Sequence, residues 1–266
     1  MIVLRAMVAV AAILTCLVPC ATGRLFASEV GDDVLLEVDP SSGAVSVLGP
    51  ISSPTIASLA YDEFSDTLYG TDSGTWELVT IDTTTGNTVV VGNMGIELPH
   101  ASAIDLGDGT LYVVGLDSSQ DYQSFLYTVN KSTALATLVG PIGFRNVGSL
   151  DFDPVTGTLY GATGGDAADG VLITIDSATG LGTFVADTIW TSAMSFDSDG
   201  QLYAVDSGPY PGNDSALYII DVSDGTSSLI GSMEVDNVLG LVFGAGGTPV
   251  VSGTWSRIKA RYMSAE

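Results

Sequence analysis

The chain has 266 residues, 46% of them hydrophobic, and carries 31 acidic side chains against 7 basic ones, a formal charge of −24. That apolar content excludes a disordered chain, and the acidic excess repels phosphate, so neither nucleic acid nor an anionic lipid surface is an expected partner. The 32 glycines show no collagen-like period and suit many short strands joined by tight turns.

Residues 1–23 are expected to be a secretory signal peptide. Arg5 precedes an apolar run over 6–18, and the small residues Ala21-Thr22-Gly23 stand before Arg24. The run is too short to span a bilayer comfortably, so no membrane insertion is expected after cleavage. The expected location is therefore secreted, periplasmic or at the cell surface. Both cysteines, Cys16 and Cys20, fall inside this segment, which leaves a mature chain without disulfides or thiolate ligands.

Beyond Arg24, short runs rich in β-branched and aromatic residues alternate with turn formers. The first unit reads as strands over 25–29, 35–39 and 44–49. The second gains a strand in front: 56–61, 68–72, 78–82 and 88–92. The third reads 103–106, 111–115, 126–130 and 137–140. The fourth reads 148–152, 159–163, 172–176 and 183–186, and the fifth 193–196, 202–206, 217–221 and 227–231. A sixth begins with 239–243 and 249–253 and extends to 258–262. Labelling the strands of a unit a to d, strand b begins at 25, 68, 111, 159, 202 and 249. A period of about 40–50 residues with four strands is that of a propeller blade, whose sheet is too small to bury its own faces. The fold expected is all-β, a single β-propeller domain over 24–266. Counting strand b gives six blades. Five is the alternative, since the first unit lacks a strand a and the last supplies one.

The pattern F-D-P-x-T-G-T-L-Y-G (152–161) followed by L-x-T-I-D-x-x-T-G (172–180) resembles secreted bacterial repeat propellers of the YVTN, NHL and TolB-like kind. The resemblance covers nearly all of 24–253. It implies the fold, while members of these groups serve variously as binding scaffolds, assembly factors and enzymes.

The aspartates that the repeat fixes have a structural explanation. Asp39, Asp82, Asp176 and Asp221, with Asn130 in the same place, end strand c; Asp62, Asp105, Asp153 and Asp197 follow strand a. A short carboxylate there accepts hydrogen bonds from turn amides. Tyr69, Tyr112, Tyr160 and Tyr203 recur in strand b and are expected to pack between blades.

The b–c loops and d–a links share the other rim, and their lengths vary. Variable loops on a rigid scaffold are where binding sites are built. The candidates are Asp72, Trp76, His100, Asp117, Arg145, Asp166, Trp190, Asp206 and Asn237. His100 is the only histidine, which excludes a multi-histidine zinc site, and no G-x-S-x-G elbow accompanies it. The reading favoured is a secreted, monomeric, non-catalytic binding module for a protein or surface glycan, with no catalytic residue and no firmly implied cofactor. The alternative is a Ca²⁺-dependent hydrolase or lyase with an acidic site at the channel mouth.

Overall fold

The structure, a computed structural model, describes residues 23–53, 55–164, 170–206 and 214–244. The first blade holds β1 (Arg24–Glu29), β2 (Val34–Val38) and β3 (Val45–Pro50). The second holds β4 (Ile56–Asp62), β5 (Thr67–Asp72), β6 (Glu77–Ile81) and β7 (Thr88–Asn93). The third holds β8 (Pro99–Ile104), β9 (Leu111–Asp117), β10 (Gln123–Val129) and β11 (Ala136–Arg145). The fourth holds β12 (Val147–Phe152), β13 (Leu159–Thr163), β14 (Gly170–Ile175) and β15 (Gly182–Thr188). The fifth holds β16 (Ala193–Phe196), β17 (Leu202–Asp206), β18 (Ala216–Ile220) and β19 (Ser227–Ser232), and β20 (Val238–Gly244) follows.

β20 returns to the first sheet, whose order is β20-β1-β2-β3. Its pairing with β1 is antiparallel, from Arg24 opposite Gly244 to Glu29 opposite Val238. The last described strand thus supplies the missing strand a of the first blade, and five four-stranded sheets close a ring. This corrects the six-blade count: the strand taken to open a sixth blade completes the first. The strands expected at 249–253 and 258–262 lie outside the described residues, as does the signal segment up to residue 22.

Strand a of the third blade also differs from expectation. It runs over Pro99–Ile104 rather than 103–106, so His100 belongs to an inner strand and not to a link. Proline is tolerated there because the inner strand is an edge strand that leaves half its amides without a sheet partner.

The hydrophobic core divides among the blade interfaces. Phe26, Leu35 and Ile56 meet between blades one and two; Tyr69, Leu78 and Leu111 between two and three. Leu126, Val147 and Leu159 fill the next interface, Leu172, Met194 and Leu202 the fourth, and Leu25, Leu36, Leu217 and Leu241 the one that closes the ring. Tyrosines of strand b meet the last aromatic of the next blade's strand a, with centroids 5.6 Å apart for Tyr112–Phe152, 5.4 Å for Tyr160–Phe196 and 5.2 Å for Tyr203–Phe243. Each fully buried Leu contributes roughly 1.5–3 kcal/mol.

The repeat's two glycines touch each other across blades. A Cβ on Gly49 of β3 would lie 1.8 Å from the Thr85 carbonyl oxygen, and one on Gly86 2.8 Å from Gly49. Gly140 and Gly180 meet in the same way, with 2.1 Å from a Gly140 Cβ to the Thr179 oxygen, and so do Gly231 and Gly43. At the other two interfaces one partner is alanine: Gly92 faces Ala134, and Ala186 faces Gly225. Backbone approach this close explains why T-G and V-G recur together.

Gly140→Ala should therefore lower stability in urea unfolding by about 1–3 kcal/mol through overpacking. Gly157→Ala, with a positive φ but nothing within 4 Å of the new Cβ, should cost only the left-handed penalty of about 1–2 kcal/mol. A Gly140→Ala loss no larger than a tenth of that range would contradict the contact.

Candidate functional site

Two rims bound the ring. The turn rim carries the a–b and c–d turns, and here the repeated aspartates do what the sequence suggests. Asp82 Oδ1 accepts from the Thr84 and Thr85 amides at 2.8 and 2.9 Å, and Asp176 Oδ1 from Ala178 and Thr179 at 2.8 and 3.1 Å. Asp62, Asp105, Asp153 and Asp197 hold the a–b turns through Phe64, Gly107, Val155 and Asp199. Asp62 also takes a 2.6 Å ion pair from Lys131 of the next blade. With that bond and those from Ser65 and Phe64, its carboxyl lies below the usual range despite the opposing effect of burial.

On the loop rim, acidic residues near the end of strand b pin the b–c loops. Glu29 accepts from the amides of Gly31 and Asp32 at 2.6 and 2.8 Å; burial, Asp32 and Asp236 nevertheless push its carboxyl up. Asp72 Oδ1 accepts from Gly74 and Thr75 at 2.8 and 3.0 Å, while its Oδ2 is buried without a hydrogen bond. Asp117 Oδ1 accepts from the Ser119 amide at 2.9 Å, and its bonds to Ser119 and Gln120 hold its pKa down. Asp206 ends β17, half-buried. Two sequence candidates are thus bases of loops, and Glu29, which the sequence reading passed over, has the same position.

The remaining candidates spread round this rim. Trp76 is 40% exposed, with φ 62°. Arg145 ends β11, exposed and ion-paired with Asp121; the Asn146 amide bonds the Tyr122 carbonyl at 3.1 Å. Trp190 packs over Gly164, where a Cβ would sit 3.4 Å from the indole Nε1. Asn237 is exposed, and its carbonyl accepts from the Val30 amide at 3.2 Å. Asp166 lies outside the described residues. His100 lies beside Gly148, its Nδ1 buried without a hydrogen bond of normal geometry, and burial lowers its pKa. Among the described residues no three His, Cys, Asp or Glu side chains come together as a metal-binding group. A depression of about 220 Å³ beside the third blade is lined by Glu97, Asp117, Phe125, Tyr127 and Leu138.

The channel itself opens at the turn rim into a cavity of about 250 Å³. Its walls include Ala60, Ala103, Asp151, Ser195 and Val242, which occupy one position of the five inner strands, and the aromatics Tyr61, Phe152, Phe196 and Phe243 that follow them. Asp151 accepts from the Phe152 amide at 2.9 Å, the Phe196 amide at 2.8 Å and the Ser195 hydroxyl at 3.0 Å. Burial pushes its carboxyl up to about 6, against those three hydrogen bonds.

No family model and no curated protein sequence matches the chain. Solved structures do. A chain of a nidogen/laminin complex superposes with a TM-score of 0.60 at 14% identity, over 84% of this chain and 98% of that one. This chain is a β-propeller repeat protein. A chain of Kuenenia stuttgartiensis hydrazine synthase gives a TM-score of 0.47 at 18% identity, over 67% of this chain and 50% of that one. At 14% identity the likeness to the nidogen/laminin chain is one of fold.

Asp151 links stability to pH. The folded chain keeps its proton up to about pH 6, whereas the unfolded carboxyl releases it near 3.8. The folded state therefore binds more protons between those values, and this group's contribution to stability rises as pH falls. His100 acts with the opposite sign, because its folded pKa lies below 6.5. Urea unfolding at pH 7.5 and pH 5 should show the change toward acid about 1.4 kcal/mol more favourable in the parent than in Asp151→Asn. Equal changes in the two proteins would refute a raised Asp151.

Proposed function

We propose that this chain is an exported, non-catalytic propeller that binds a protein or surface-glycan partner through its loop rim. The observation that carries the reading is the set of exposed Trp76, Tyr122 and Arg145 on adjacent blades of that rim. Their loops are fixed at the base by Asp72 and Asp117. Trp, Tyr and Arg are the side chains that dominate binding hot spots, and rigid loops lower the ordering cost of binding. The nidogen/laminin structure supports the reading to the extent that its matched chain was crystallised as part of a protein complex. Export rests on the leading segment, with Arg5, the apolar run and Ala21-Thr22-Gly23. The finer kinship proposed is with secreted bacterial YVTN, NHL and TolB-like repeat propellers.

The test uses glycan arrays together with cross-linking of the tagged protein to extracellular proteins of producing cells. Trp76→Ala, Tyr122→Ala and Arg145→Ala combined should lower retention at least tenfold. Phe64→Ala, which removes a side chain 66% exposed on the opposite rim, should leave it unchanged. Retention that survives the triple substitution would remove this rim as the interface.

A further inference from the structure

The free edges of the inner strands are held by a side chain from the preceding blade at every interface. Ser28 donates to the Ile56 carbonyl at 3.0 Å, Ser58 accepts from the Ser102 amide at 2.9 Å, and Ser124 from the Val147 amide at 3.0 Å. Ser192 donates to the Val238 carbonyl at 2.7 Å, and Ser195 accepts from the Phe243 amide at 3.0 Å. Between blades four and five the same task falls to Asp151, on the Phe196 amide. A hydroxyl suffices at the other four interfaces. A half-buried carboxylate is the costlier choice, because among the described residues no cation stands beside it to offset its desolvation. Arg24, Lys131 and Arg145, the basic residues among those described, are paired with Glu37, Asp62 and Asp121.

A carboxylate offers about four acceptor positions. Asp151 uses two on Oδ2 and one on Oδ1, and the residue lines the cavity. The four aromatic residues named above line it too, and Glu63 stands exposed at its rim. Apolar side chains at the wall suit an alkyl chain, and a chain of net charge −24 concentrates cations near its surface. The volume equals the share of roughly eight liquid waters, enough for a short alkyl chain with its headgroup.

We infer that the turn-rim cavity is a binding site for a small alkylammonium group, with the ammonium on Asp151 and the alkyl chain among Tyr61, Phe152, Phe196 and Phe243. This site is on the opposite rim from the proposed partner surface and does not depend on it.

The test is a titration of the full ¹⁵N-labelled protein with n-butylammonium chloride at low ionic strength, pH 7.5, following the Phe152 and Phe196 amides that donate to Asp151. Saturable shifts are expected, at least tenfold weaker in Asp151→Asn and in Ala103→Leu, which fills the cavity from another blade. n-Butanol and equal sodium chloride should not reproduce them. An Nα-acetyl-lysine methylamide arm separates the sources: equal affinity identifies a polypeptide lysine as an occupant, and weaker binding identifies a free amine. Absence of saturable shifts in the parent, the same shifts with sodium chloride, or full affinity in Asp151→Asn would overturn the site. If Asp151→Asn does not fold, full affinity in Ala103→Leu overturns it alone.

Discussion

The free edges of five inner strands face one another across the channel, and each must find hydrogen-bond partners outside its own sheet. An edge left bare would be costly where buried and a pairing hazard where exposed. Borrowed side chains solve this locally: Ser28, Ser58, Ser124, Asp151 and Ser192 each reach to the neighbouring blade. Because the borrowing runs in one direction round the ring, every blade depends on the one before it. The interblade core and the glycine contacts at the outer strands then fix the same neighbours at larger radius.

Much of this was legible in the residues. The repeat of short strands and turns, the aspartates holding the turns and the tyrosines between blades all follow from local chemistry. The blade number was legible only as the alternative of five, because it depends on β20 pairing with β1, a partner about two hundred residues away, whose one trace is a first unit without strand a and a last unit that supplies one. Counting strand b assigned a blade to residues that follow the closing strand. His100 was misplaced for a related reason: Pro99 reads as a link in sequence, yet an inner edge accepts it.

The candidate sites divide along the same line. The loop rim could be located, since its segments vary in length, but the work of its carboxylates could not. Asp72 and Asp117 spend acceptors on their own loops, as Glu29 does, so acid-rich sequence here is largely loop construction. Asp151 was passed over although a signal existed. It is the one charged residue among Ala60, Ala103, Ser195 and Val242 at its inner-strand position, a departure seen only once the five copies are aligned on the turn that follows.

The closing pair has a mechanical consequence. Arg24 and Gly244 stand opposite each other at one end of the β1–β20 ladder. Tension applied at these two points loads the ladder one residue pair at a time, as a zipper is opened, instead of shearing all its bonds together. Five shared interfaces oppose global unfolding, whereas a pull between Arg24 and Gly244 is opposed by one ladder pair at a time. Strain transmitted through the loop faces of separate blades would meet a far stiffer body.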